Sequence, residues 1–150
     1  MMTRRAFLQW VTGLWALASV TARGQAVPVN DLQPLITELT GGAAVNVGRV
    51  RVETPRLADN GHSVPMKLVV ESPMTAADHV RSITLLSPRN PRPLMGKFLL
   101  GPRAGRAEIV TRVRLNGTQS VLAIAQLSDG TFWSGSAEVE VTESACLDAG

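Results

Sequence analysis

The sequence predicts an all-β fold: an immunoglobulin-like antiparallel β-sandwich with a short N-terminal helix and a flexible C-terminal arm. Two observations carry that expectation. From Val45 to Thr142 the chain breaks into seven or eight short apolar or alternating runs. Turn residues (Gly, Pro, Asn, Asp) separate the runs at intervals of about 8–12 residues, the spacing of a sandwich or barrel. About 124 residues follow the N-terminal targeting segment, enough for one domain with a real core.

Residues 1–26 read as an export signal and are set aside from the fold. Arg4-Arg5 follows Thr3 and precedes Ala6-Phe7-Leu8, and an uncharged, moderately apolar run continues to Ala22. Paired arginines ahead of such a run form a twin-arginine signal. Val20-Thr21-Ala22 and Gly24-Gln25-Ala26 both suit a small-residue cleavage site, after Ala22 or after Ala26. The expected location is the periplasm, reached by the twin-arginine route. A membrane anchor is the competing reading, but the 17 residues from Ala6 to Ala22 lie at the short limit for a span, so no stable membrane insertion is expected.

Removing the signal changes the charge balance. The chain has 15 Lys+Arg and 12 Asp+Glu, and Arg4, Arg5 and Arg23 all precede Ala26. The remainder carries 12 of each sign. No basic patch with interleaved aromatics exists, so nucleic acid is not an expected partner.

Asp31 to Thr40 reads as the helix, capped by Asn30 or Asp31 and striped by Leu32, Leu35, Ile36 and Leu39. Pro34 is tolerable in its first turn, and Gly41-Gly42 stops it. Val45 to Glu53 alternates as a strand. Asp59-Asn60-Gly61 is a turn, and Ser63 to Glu71 is a second strand with Val64, Met66, Leu68 and Val70 on one face. Pro65 near its start implies an edge or an entering position. Val80–Ser87 and Leu94–Leu100 are further strands around the stiff loop Pro88-Arg89-Asn90-Pro91-Arg92-Pro93. In Ala107–Leu115, Ile109, Thr111, Val113 and Leu115 face one way and Arg112 and Arg114 the other, as a solvated face. Asn116-Gly117 is the strongest hairpin signal in the chain, with Thr118–Leu127 returning. That strand is apolar on both faces, as a central strand is. Ser128-Asp129-Gly130 turns the chain into the last strand, ending near Thr142. The domain is therefore expected over residues 27–142 and the arm over 143–150.

The usual catalytic constellations are missing. His62 and His79 lie in separate loop-like segments without ligand-spaced partners. Met66, Met74 and Met95 read as core filler, and Trp133 suits either the core or a partner-facing seam. No Ser-His-Asp order or phosphate-binding loop is present, and no metal or cofactor is expected. What remains is Cys146, the one cysteine, in a segment where strand alternation has stopped. Free cysteines are commonly buried small hydrophobes. An unpaired cysteine in an exported protein instead suggests a reactive thiol or intermolecular pairing.

Several segments resemble one known family in order. They are Leu57-Ala58-Asp59-Asn60-Gly61-His62-Ser63-Val64-Pro65, Glu71 to Val80, and the loop Asn90-Pro91-Arg92-Pro93. Thr111 to Leu115, Thr118-Gln119 and Leu127 to Trp133 continue the series. The chain is similar to SoxY, the sulfur-carrier subunit of the periplasmic thiosulfate-oxidising system, over nearly all of the part after the signal. The resemblance implies a heterodimer with a SoxZ-like β-sandwich subunit. It also implies a C-terminal swinging arm whose cysteine, here Cys146, holds sulfur intermediates covalently. A haem c enzyme (SoxXA-like) would join thiosulfate oxidatively to that cysteine, and a manganese-dependent hydrolase (SoxB-like) would release sulfate. The protein would be a substrate carrier and not an enzyme.

The arm departs from the family pattern, in which Gly-Gly-Cys-Gly-Gly follows a Val-x-Val-Thr strand. Val139-Glu140-Val141-Thr142 is in place and Cys146 falls at the matching distance. Ser144 and Ala145 replace the preceding glycines, and Leu147 and Asp148 follow. Ser and Ala keep the arm slim with less backbone freedom than glycine, whereas Leu147 adds bulk beside the sulfur. The thiolate is the nucleophile, and the negative charge of Asp148 and the terminal carboxylate opposes its formation. A thiol sluggish in isolation is expected, activated in a partner's electropositive site. The alternative functions are a SoxY-like module that only pairs with its partner, and a metal protein using the histidines.

Overall fold

The computed structural model describes residues 29–142. The signal expected over residues 1–26 and the arm expected over 143–150 lie outside the described residues. The first described element is helix α1, Gln33–Thr40, with Pro34 in its first turn and Gly41 at φ 63° closing it. The helix starts two residues later than expected and its N-cap position is Leu32, with no side-chain cap bond, so neither Asn30 nor Asp31 caps it. Asp31 Oδ1 accepts the Gln33 N–H at 2.9 Å from just outside the helix. Asn30 does something else: its Nδ2 donates to the carbonyls of Pro88 and Asn90, both at 2.9 Å. It ties the start of the domain to the proline loop.

Nine strands follow among the described residues: β1 Val45–Val47, β2 Val50–Glu53, β3 Leu57–Ala58, β4 Val64–Val70, β5 Val80–Leu86, β6 Leu94–Leu99, β7 Glu108–Val113, β8 Gln119–Leu127 and β9 Phe132–Val141. A 3-10 turn, Pro102–Ala104, separates β6 from β7. One sheet runs β1-β9-β8-β5-β6, with β3 also on β9, and the other runs β2-β4-β7. The two pack face to face as the expected immunoglobulin-like sandwich.

Period-2 alternation places the core. Val64, Met66, Leu68 and Val70 of β4 face Ile83, Leu85, Val121, Ala123, Ala125, Leu127 and Val139 of the larger sheet, all buried. Met74 joins that core and Met95 packs against it. The outer face of the larger sheet is apolar as well, because α1 covers it. Leu86, Ile124 and Phe132 receive Leu32, Leu35, Ile36 and Leu39. The two apolar faces of β8 thus have two different causes.

Three expectations about the strands also need correction. The alternating run Val45–Glu53 is two strands in different sheets. It breaks at Gly48 (φ 121°) and Arg49 (φ 56°), a left-handed pair that carries the chain from β1 across to β2. The larger sheet is also not purely antiparallel, since β1 and β3 both pair parallel to β9. Asn116-Gly117, finally, is no hairpin: β7 pairs with β4 in the smaller sheet and β8 with β5 and β9 in the larger. The Leu115 N–H is taken by the Gly61 carbonyl and the Asn116 N–H by Asn90 Oδ1. These bonds direct the chain across the sandwich. Pro65, for its part, is in a central strand, but β2 stops pairing at Lys67, so the proline enters the strand where that neighbour is already gone.

Gly135 shows why the edge of the larger sheet has a gap. β1 leaves β9 after Ser134, whose carbonyl accepts the Gly48 N–H at 3.0 Å, and β3 rejoins where the Glu140 N–H meets the Arg56 carbonyl at 2.7 Å. Between these points β2 crosses over Gly135. A Cβ there would lie 2.0 Å from the Val50 carbonyl oxygen, so only glycine lets the two backbones approach this closely.

Candidate functional site

The sequence-predicted site residues, Cys146 and its neighbours Ser144, Ala145, Leu147 and Asp148, lie outside the described residues. What the structure describes is the root from which that segment continues, the end of β9, and it is held from two sides. On one side β3 pairs with Glu140 and Val141, the Thr142 N–H donates to the Ala58 carbonyl at 3.1 Å, and the Thr142 hydroxyl donates to the Asp59 carbonyl. On the other, Thr118 Oγ1 accepts the Val141 N–H at 2.9 Å and lies 3.4 Å from the Val141 carbonyl oxygen. The backbone is thus fixed through Thr142, four residues before Cys146.

Behind Thr118 lies a buried polar network. Ser87 Oγ donates to Gln119 Oε1 at 2.5 Å, and the Arg89 N–H donates to the same oxygen at 3.2 Å. Asn90 Nδ2 donates to the Arg114 carbonyl at 2.8 Å, and its Oδ1 accepts the Asn116 N–H at 2.9 Å. Asn116 Nδ2 returns a bond to the Arg89 carbonyl at 3.1 Å. Ser87, Asn90, Asn116 and Gln119 are all buried, where unpaired polar groups would each cost about 1–3 kcal/mol. Satisfied together, they lock the proline loop and the β7–β8 crossing to the root. Arg89 completes the arrangement by donating Nη1 to the Thr118 carbonyl at 2.5 Å.

Segments far apart in the chain therefore converge at one end of the sandwich: Asp59 to Gly61, Ser87 to Pro93, Leu115 to Gln119 and Val139 to Thr142. A shallow groove of about 420 Å³ flanks the root on its β3 side, lined by Arg56, Leu57, Thr118, Glu138 and Glu140. Sequence reasoning found the strand end and missed the network. Asn116 looks like a turn residue and Asn30 like a cap, and only the folded chain reveals that both bind the proline loop, Asn116 at Arg89 and Asn90 and Asn30 at Pro88 and Asn90.

The opposite end of the sandwich carries the remaining candidates. Trp133 is half-buried against the core, with the Arg49 guanidinium 4.9 Å from its ring centroid, a cation–π distance. Its Nε1–H donates to Thr131 Oγ1 at 3.1 Å, and that hydroxyl donates to Asp129 Oδ1 at 2.7 Å. The bonds from the Thr131 hydroxyl and N–H, with Arg49 nearby, hold the Asp129 carboxyl below its ordinary value. The His79 ring Nδ1 is 3.1 Å from the Thr75 carbonyl oxygen. His62, by contrast, follows Gly61 at the root end, where its backbone N–H donates to Asn60 Oδ1 at 3.2 Å. Among the described residues no three His, Cys, Asp or Glu side chains form a metal-binding group. Also among the described residues, no helix is long and apolar enough to cross a membrane.

Fold and root together define a class: a small immunoglobulin-like sandwich whose last strand is pinned up to the start of a cysteine-bearing C-terminal segment. The family follows from the match of residues 36–146 to the model of sulfur oxidation protein SoxY, which ends on Cys146. The chain belongs to the SoxY family. Membership gives it a sulfur-carrier role and a partnership within the Sox sulfur-oxidation system. The sulfur carrier protein SoxY from Chlorobium limicola f thiosulfatophilum is a structural match with a TM-score of 0.63 and 22% identity, covering 73% of this chain and 90% of that one. A superoxide reductase (neelaredoxin) from Ignicoccus hospitalis shares the fold at TM-score 0.55 and 19% identity, over 63% and 80% of the two chains. The superoxide reductase from Nanoarchaeum equitans does so at 0.53 and 12%, over 64% and 100%. These likenesses show the fold alone. No curated protein matches the chain by sequence.

Proposed function

We propose that the protein is a periplasmic carrier that holds sulfur intermediates covalently on Cys146, working as a heterodimer with a SoxZ-like subunit. The observation that carries this is the pinned root ahead of a segment matched to the family as far as the cysteine. Thr142 is fixed by β3 and by Asp59, and Cys146 follows four residues later. Four residues span at most about 14 Å when extended, enough to carry a thiol away from the domain surface and into another protein's cleft. A fixed root gives that reach a constant origin.

Loading joins the Cys146 thiolate to the outer sulfur of thiosulfate. One S–S bond forms, and two electrons leave to an oxidising haem c partner. The product is a cysteine S-thiosulfonate. Hydrolysis by a SoxB-like partner then adds water across the terminal S–S bond, releasing sulfate and two protons and leaving a persulfide anion on Cys146. The carrier contributes the nucleophile and its position. The pinned root keeps the domain out of the partner's channel while the arm is inside it.

Incubating the protein with its oxidising partner and ³⁵S-thiosulfate tests this. Reductant-labile label on the protein that is lost in Cys146→Ser is the expected result. Equal label in Cys146→Ser would place carriage elsewhere. Absence of label, with SoxZ-like pairing retained, would favour the partner-binding module.

A further inference from the structure

The end of the sandwich that anchors the arm is rich in arginine, and among the described residues its cations lack anionic partners. Arg89 and Arg92 sit in the proline loop, and Arg114 sits just past the end of β7, bound to that loop through Asn90. Among the described residues the carboxylate ion pairs are Arg51–Glu53 and Lys67–Glu108, and neither involves these three arginines. Arg89 is the most telling. Its Nη1 meets a neutral carbonyl, that of Thr118, and its Nε is buried with no hydrogen-bond partner among the described residues. A guanidinium has five donors and matches a two-oxygen anion, so the described contacts leave Arg89 short of its natural ligand.

We infer that this arginine collar is the docking site for the acidic C-terminal segment of the same chain, residues 143–150, when Cys146 is unloaded. The segment contains Glu143 and Asp148 and no Lys or Arg, so its charge complements the collar. It also starts within reach. The Arg89 guanidinium binds the Thr118 carbonyl, and the Thr118 hydroxyl binds the Val141 N–H, so collar and root are one residue apart. The other side of the root repels the segment. There the groove presents Glu138 and Glu140 against Arg56, two carboxylates to one cation. Docking on the collar offsets the negative charge beside the thiol and keeps Cys146 against its own domain until a partner competes for the arm. This goes beyond carriage, and it needs no cargo.

Backbone ¹⁵N relaxation on reduced, unloaded protein tests it. At low salt, residues 143–148 are expected to show order parameters above about 0.6, the boundary of flexible backbone. That order is expected to be lost in Arg89→Gln, in the Glu143→Gln/Asp148→Asn double variant, and in 1 M NaCl, where the Debye length falls to about 3 Å. The Arg89 Nε–H resonance is expected to shift in the double variant. Order parameters below about 0.6 in the parent at low salt would overturn the inference, as would order that survives salt and both variants. Should Arg89→Gln fail to fold, the double variant decides, because it leaves the described domain untouched. Cargo plays no part in this experiment, so its failure and a failure of carriage are separately visible.

Discussion

Gly135→Ala isolates the close crossing of β2 over β9. The added Cβ would sit 2.0 Å from the Val50 carbonyl oxygen, 2.8 Å from its carbon and 3.2 Å from the Val50 Cβ. Ordinary contact is about 3.5 Å, so β2 must retreat by about 1.5 Å. It cannot do so freely, since Val50 and Val52 are buried and β2 is also bonded to β4. In an extended strand Ala would otherwise gain about 0.4–1 kcal/mol over Gly through the unfolded chain. The clash outweighs that, and a net loss of about 3 kcal/mol is expected, the upper part of the overpacking range. At about 4 °C per kcal/mol for a domain of this size, the melting temperature falls by about 12 °C. Urea unfolding followed by Trp133 fluorescence measures it, because Trp133 is the one tryptophan after residue 26. Gly101→Ala is the control: its φ is −150° and its Cβ meets nothing within 4 Å, so it should remain within about 0.5 kcal/mol. A Gly135→Ala protein as stable as that control would refute the crossing.

Asn90→Ala removes the acceptor for the Asn116 N–H and the donor to the Arg114 carbonyl. A loss of about 3 kcal/mol is expected in the same unfolding assay, and a loss under about 1 kcal/mol would mean the network is not holding the crossing. Thr131→Val removes the main cause of the lowered Asp129 pKa. A carboxyl whose folded value is depressed stabilises the fold above its unfolded value, near 3.8, and that stabilisation disappears as pH falls through the folded value. In the variant the Asp129 midpoint, read by carboxyl NMR, is expected to rise toward 3.8, and an unchanged midpoint would contradict the hydrogen-bond assignment. Thr118→Val deletes the hydroxyl that receives the Val141 N–H. Amide exchange at Val141 is expected to accelerate at least about tenfold, equivalent to about 1.4 kcal/mol, while exchange in the middle of β8 stays unchanged.

The sandwich was legible in the sequence because alternation survives wherever one face is buried. β4 shows it most plainly, with Val64, Met66, Leu68 and Val70 inward. Where the chain changes sheets, the pattern misleads. Val45 to Glu53 alternates without interruption, yet Gly48 and Arg49 turn it from one sheet into the other. Asn116-Gly117 has the chemistry of a two-residue hairpin, but the Asn116 N–H and side chain are both engaged by the proline loop. The site was legible in part. Thr142 marks the strand end in sequence, whereas its anchoring by Ala58 and Asp59 depends on a two-residue parallel strand that no local pattern announces. Arg112 is the solvated residue that alternation suggests, its guanidinium reaching the Ser63 hydroxyl at 3.3 Å. Arg89, by contrast, lies in a loop whose sequence gives no hint that its guanidinium turns inward.

Carriage on Cys146 is tested most directly by the intact mass of the protein purified from thiosulfate-grown cells, before and after mild reductant. Additions with the mass of sulfur or thiosulfate, removed by reductant and absent from Cys146→Ser, are the predicted result. A single unmodified mass, under conditions that load another SoxY-family carrier, would contradict it.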